Sequence, residues 1–160
     1  MGYTHYWYRP KELDAKRFEL WRRDVFKLSA RLPERSASAG GYYADKPVRV
    51  EITDTADLVE FNGAPYEELG HELFFMPRVL GPDDARQQDE NGLYFQFCKT
   101  ARKPYDLLVV AALVALHAYF PEITIASDGD GDEWADGLRF CQRILDYSAL
   151  PQGIETTDAA

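Results

Sequence analysis

The stretch that decides the fold is Leu93-Tyr94-Phe95-Gln96-Phe97-Cys98, followed by Lys99-Thr100-Ala101-Arg102-Lys103-Pro104-Tyr105-Asp106 and then the apolar run Leu107–Leu116. The first piece is aromatic and short, as a strand is. With aromatics on both faces it is expected to be a central strand. The last piece carries no charge over ten residues. A membrane span needs about 20 such residues, so the run reads as a helix buried around most of its circumference. Pro104 opens it, where its missing N–H costs nothing, and Pro121 closes it.

Outward from this unit, Tyr3–Tyr8 reads as an aromatic strand ended by Pro10. Phe18, Trp21, Val25, Leu28 and Leu32 recur at helical spacing, predicting a helix over about residues 12–32 that Pro33 stops. Residues 34–46, with Gly40-Gly41, read as a mobile loop. Val48, Val50 and Ile52 alternate with polar residues and predict a strand. Leu58–Phe61 and Gly70–Met76 add two more strands. The polar, acidic stretch 81–92 reads as an exposed loop. Ile123–Ala126 is the last strand. Trp134, Leu138, Cys141 and Leu145 give a final helix one inward face, with Gly137 marking close approach to a neighbour. The order is β-α-β-β-β-β-α-β-α. Four successive strands between helices predict an α+β fold: one domain over residues 1–150, a mixed and mostly antiparallel sheet, and a frayed tail over 151–160. The step from Leu93–Cys98 through the buried helix to Ile123–Ala126 fits a right-handed parallel crossover.

The chain of 160 residues has 18 Lys/Arg and 27 Asp/Glu, a net charge of -9. Residues 1–35 hold nine cations against five acids, so this segment is +4 and the remainder -13. An acidic bulk repels phosphate backbones, which disfavours broad nucleic-acid binding. Two cysteines make no disulfide framework, and no charged-plus-apolar leader precedes the first element. A soluble protein of the reducing cytoplasm is expected, with no membrane partner.

Two turns carry the candidate chemistry. The turn 99–106 leads into a helix start, where free N–H groups favour anions. It holds Lys99, Arg102 and Lys103 in otherwise acidic surroundings, and Thr100 adds a hydroxyl. The turn Ser127-Asp128-Gly129-Asp130-Gly131-Asp132 also leads into a helix. The leading expectation is therefore a small anionic ligand, such as a nucleotide or phosphorylated metabolite. Lys99, Thr100 and Arg102 would hold the anion, Tyr3, His5 and Tyr105 would supply flat apolar surface, and Asp128 would accept from a hydroxyl. The second reading is an acidic protein-interaction or inhibitor module, a nucleic-acid mimic, with a basic protein partner. The third is a small hydrolase or transferase using Cys98, activated by Lys99, or Asp128 with magnesium.

No cofactor or resident metal is expected. Asp128, Asp130 and Asp132 imitate the start of a calcium loop, but Glu133 stands where glycine is required and Arg139 where the bidentate Glu belongs. The histidines His5, His71 and His117 lack metal spacing.

The opening Gly2-Tyr3-Thr4-His5-Tyr6-Trp7 and the block Phe97-Cys98-Lys99-Thr100-Ala101-Arg102-Lys103-Pro104-Tyr105-Asp106, with Ser127-Asp128-Gly129 downstream, resemble a group of small uncharacterised bacterial and phage proteins. That resemblance spans about a fifth of the chain and implies a soluble bacterial or viral protein, with no activity attached.

Overall fold

In the computed structural model, which describes residues 2–36, 43, 45–85, 88–147, 149–152 and 154, the fold is α+β. The element order is β1 (Thr4–Arg9), α1 (Ala15–Ser29), β2 (Val50–Thr55), β3 (Leu58–Gly63), α2 (Tyr66–Leu69), β4 (Phe74–Pro77), β5 (Tyr94–Lys99), α3 (Asp106–Tyr119), β6 (Thr124–Ser127) and α4 (Gly131–Leu145). It follows the sequence expectation with one short helix, α2, added.

Among the described residues the strands form two antiparallel sheets, β5-β1-β6 and β2-β3-β4, instead of one mixed sheet. β1 is central and antiparallel to both neighbours, with His5 opposite Cys98 on one side and Ser127 on the other. Hence β5 and β6 run in the same direction in one sheet with β1 between them, so the connection through the intervening helix is a parallel crossover in which the two strands do not pair with each other.

Two further expectations are corrected. The strand Leu93–Cys98 is an edge strand, not a central one. Its inward positions are Tyr94, Gln96 and Cys98, while Phe95 and Phe97 point the other way and stay 45% and 54% exposed. Aromatics on both faces there signal an open sheet face and not burial on two sides. The strand expected from Gly70 begins only at Phe74. Asn62 explains the delay: its Oδ1 accepts from Gly63 N and His71 N, and its Nδ2 donates to His71 O. Glu72 N donates to Lys99 O. Backbone groups that would start the ladder are answered elsewhere.

The helices close the core from one side. Asp14 caps α1 by accepting from Arg17 N at 2.9 Å, and α1 ends at Ser29, three residues before the apolar spacing runs out. α3 is buried on every side from Leu108 to Leu116. Trp21 Nε1 donates to Ala112 O at 3.0 Å, tying α1 to α3. Asp24, also buried, accepts from the hydroxyls of Tyr119 and Tyr147 at 2.6 Å each. Ile154 is 6% exposed and packs on the core, so the expected tail does not begin at 151. Residues 37–42 and 44 of the expected loop, 86–87 of the acidic stretch, and 153 and 155–160 of the expected tail lie outside the described residues.

Arg9 joins the two sheets. It is 0% exposed, and its guanidinium donates to the backbone oxygens of Pro10, Pro77 and Arg78 at 3.0, 2.5 and 3.0 Å. Burial pulls its pKa down to about 10, so it stays charged at neutral pH, held by carbonyl dipoles.

The α3–α4 contact turns on Gly137, where a Cβ would overlap Val110 Cγ1. Overpacking of this kind costs about 1–3 kcal/mol. Gly137→Ala is therefore expected to lower the melting temperature by several degrees in a thermal melt. Gly81→Ala, whose Cβ would find only Asp84 Oδ2 at 3.7 Å, should leave it unchanged.

Candidate functional site

The two helix-starting turns meet at one end of the β5-β1-β6 sheet, stitched to the start of β1. Thr100 N and Ala101 N both donate to Tyr3 O, at 3.0 and 3.2 Å. Asp128 N donates to Thr4 O at 3.0 Å, and Thr4 N returns a bond to Asp128 Oδ2 at 3.0 Å. Ala101 and Arg102 have φ of 54° and 61°. Two successive non-glycine residues in the left-handed region cost about 1–2 kcal/mol each. The tight reversal sets the Arg102 guanidinium over the Tyr3 ring, 4.1 Å from its centroid, and pairs it with Glu133. Gly129 lets the other turn approach, since a Cβ there would overlap Tyr3 Oη.

Between the turns lies His5, 0% exposed. Its Nε2 is 2.6 Å from Asp106 Oδ1 and its Nδ1 is 2.8 Å from Ser127 Oγ. Thr100 Oγ1 also donates to Asp106 Oδ1, at 2.6 Å. Ser127 Oγ accepts from Gly129 N at 2.9 Å and Trp134 Nε1 at 3.1 Å. A hydroxyl has two lone pairs and one proton, and the two N–H donors fill the lone pairs of Ser127. Its proton faces His5 Nδ1 at 2.8 Å and the Tyr3 hydroxyl, which also hydrogen-bonds Ser127, while His5 Nε2 faces Asp106. The Trp134 and Tyr3 rings meet the imidazole edge-on at 5.4 and 5.1 Å.

The partners are those of an acid–histidine–serine triad, but on exchanged ring nitrogens, since in the triad Nδ1 faces the acid and Nε2 the serine. As a nucleophile, however, Ser127 has no lone pair to spare, and its base is sealed from solvent. The network acts as a saturated fastener joining β1, β6 and the starts of α3 and α4. Asp106, Ser127 and Trp134 were not foreseen in these roles. No spacing links residues 5, 106 and 127; only the register of β6 on β1 and the position of the α3 start unite them.

The other candidates are also engaged within the fold. Thr100 and Tyr105 are buried, and Tyr105 Oη donates to Glu72 O at 2.6 Å. Lys103 Nζ donates to Gly70 O at 2.6 Å. Lys99 N donates to Glu72 Oε2 at 2.9 Å, and the Lys99 side chain lies alongside Gly2. Asp128 accepts from Tyr6 Oη at 2.9 Å. The turns do gather as expected, but the space between them is filled by Tyr3, His5 and Trp134. The rings of Tyr3, His5 and Tyr105, expected to face a ligand, are spent on internal packing.

Cys98 does not fit the activated-thiolate reading. It is buried, and desolvation, then Asp106 and Glu72, push its pKa well up, against only a lowering hydrogen bond from Tyr105. Asp130 caps α4 through Asp132 N and Glu133 N, both at 3.0 Å. Among the described residues no group of three or more His, Cys, Asp or Glu is placed to hold a metal ion. No described helix is long and apolar enough to cross a membrane. A shallow hollow of about 400 Å³ lies on α1, between Glu19, Arg22, Arg23, Phe26, Lys27 and Asp54. Its acids already pair both arginines.

The opposite face of the sheet differs. Tyr6 and Tyr8 of β1 stand directly opposite Phe97 and Phe95 of β5. Phe95 stacks on Tyr6 and Tyr8, with centroids 5.9 and 5.2 Å apart, and lies 5.7 Å from Phe97. Asp106 of α3 and Trp134 of α4 reach the sheet from the other side, through His5.

Two outcomes check these assignments. Ser127→Ala strands His5 Nδ1, Trp134 Nε1 and Gly129 N; a buried polar group left unpaired costs about 1–3 kcal/mol. Urea unfolding should show a loss of roughly 2–4 kcal/mol, whereas Thr124→Ala, on the exposed side of the same strand, should change little. Second, both cysteines are buried, and burial raises the thiol of Cys141 to about 12. Ellman's reagent at pH 8 should therefore leave both untouched in the folded protein and titrate both in denaturant. Rapid native labelling of Cys98 would contradict the assignment. No family model, curated protein or solved structure matches the chain.

Proposed function

We propose that this chain is a protein-interaction module that binds through the open face of the β5-β1-β6 sheet. The observation that carries the reading is the contiguous aromatic patch of Tyr6, Tyr8, Phe95 and Phe97 on that face. Apolar clusters left in contact with water mark docking surfaces, and Tyr and Phe are enriched at interface centres. The small-anion reading has less support, since Arg102 is committed to Glu133 and Tyr3, Lys103 to Gly70 and Thr100 to Asp106. A hydrolase built on Cys98 is opposed by the burial of that thiol. Two free, buried cysteines fit a reducing compartment, the cytoplasm.

Photo-crosslinking tests the reading. With p-benzoylphenylalanine in place of Phe97, irradiation in extract of the source cells should give an adduct of one defined mass. The same group at exposed Ala30 should not. No adduct at 97, or equal adducts at both positions, would overturn the assignment.

A further inference from the structure

We infer that the outward face of α1 is a second docking surface, and that it takes a short acidic protein segment carrying apolar side chains. It uses no residue of the β5-β1-β6 sheet. Lys16, Leu20, Arg23 and Lys27 recur at i, i+4, i+7 and i+11, so they line one face of the helix. That face is turned to solvent. All four residues are exposed, Leu20 at 41%, and Phe26 beside them is 53% exposed. Arg31, just past the helix end, is exposed as well.

Charge complementarity selects the partner. The acids that reach α1 are already taken by its arginines. Glu19 pairs with Arg22 and Arg23, Asp54 of β2 with Arg22, and Asp14 and Glu122 with Arg17. Asp24 is buried and accepts from Tyr119 and Tyr147. Among the described residues the side chains of Lys16, Lys27 and Arg31 have no ion pair or hydrogen bond, and Glu34 beyond Pro33 pairs with none of them. Residues 37–42 and 44 carry no charged side chain. Uncompensated cations therefore share a helix face with Leu20 and Phe26, on a chain of charge -9. The hollow of about 400 Å³ beside Phe26 gives an apolar side chain of the partner a seat, with Arg22 and Lys27 at its edge. From Lys16 to Lys27 the face runs about 16 Å, roughly three turns of a helix laid alongside. Nucleic acid or an anionic membrane would reach past it to residues 36–160, whose charge of -13 repels them. A short acidic segment meets only the local cations.

The probe is a fluorescent amphipathic peptide of leucine and glutamate, titrated with the full chain by anisotropy beside a leucine–lysine counterpart. The glutamate peptide should bind, shift the 1H–15N resonances of residues 16–31, and bind more weakly at high salt. Lys16→Gln/Lys27→Gln/Arg31→Gln should weaken it by about tenfold, and Leu20→Gln/Phe26→Gln by about tenfold as well. Both variants keep good helix formers on an exposed face, and an unchanged thermal melt confirms their fold. Phe97→Thr should leave the peptide bound as before, which separates this face from the sheet. In the crosslinking experiment an adduct at Ala30, at the end of this face, would differ in mass from the one at 97, so the two readings fail separately. No binding of the glutamate peptide, equal binding of the lysine peptide, shifts that spare α1, or affinity untouched by the glutamine variants overturns the assignment. Tighter binding of oligouridylate or of phosphatidylserine vesicles at the same residues overturns the partner class.

Discussion

A buried imidazole has two nitrogens, and each must be answered. In this protein the answers come from the start of α3 and the end of β6, so His5 cannot take its place on β1 until both have arrived. That requirement holds the architecture together. β1 is the central strand of its sheet, with a ladder on each side, and its inward positions are His5, Trp7 and Arg9. Both ends of the strand are polar and sealed. His5 collects the two turns at one end, and Arg9 collects the carbonyls of Pro10, Pro77 and Arg78 at the other, fastening the second sheet. Trp7 fills the middle, its indole donating to Gln96 Oε1 and packing on Phe74. A strand with a saturated polar group at each end leaves little freedom of register, because a one-residue slip would turn every inward group outward.

The same economy of partners explains why the cation cluster at 99–103 is not a pocket. A helix start offers N–H groups and positive potential, and the sequence places an acid there itself: Asp106 is the first residue of α3. It receives His5 and Thr100, and Arg102 finds Glu133 on the neighbouring helix. Charges that look available along the chain are consumed once folding brings the acidic turn of α4 beside them. The left-handed pair Ala101–Arg102 is part of this, since the reversal aims the guanidinium back at Tyr3.

Legibility in the sequence divides along the same line. Local signals were readable. The apolar run of α3, the spacing of Phe18, Trp21, Val25 and Leu28, and the close contact at Gly137 are written in neighbouring residues. Strand–helix order did not settle whether the two turns meet; the pairing of β1 with both β5 and β6 does. Long-range side-chain pairing was not readable, because nothing in Leu-Asp-Tyr or Thr-Ile-Ala-Ser says which atom 100 residues away will take the hydroxyl. The edge position of β5 was misjudged for a related reason. Phe95 and Phe97 look like core residues by type, and only the sheet order reveals that no layer covers them. Asn62 likewise diverts the backbone at His71 through a side-chain amide, which strand propensity cannot anticipate.

The two faces of β1 therefore differ in kind, and the proposed docking role rests on that difference. On the inner face every polar group identified has a partner, so a ligand could enter only by displacing hydrogen bonds that are each costly to leave unmade. On the outer face the groups are aromatic and half-wetted, and covering their rings releases water. Tyr6 shows the boundary between the two regimes. Its hydroxyl is fixed to Asp128, which is itself fixed to Thr4 N, while its ring lies open beside Phe95. The polar network fixes the rim of the patch, so a partner of the proposed kind would meet an ordered surface and lose little entropy in arranging it. Stability is concentrated on one side of the strand, which leaves the other free to present apolar surface without endangering the fold.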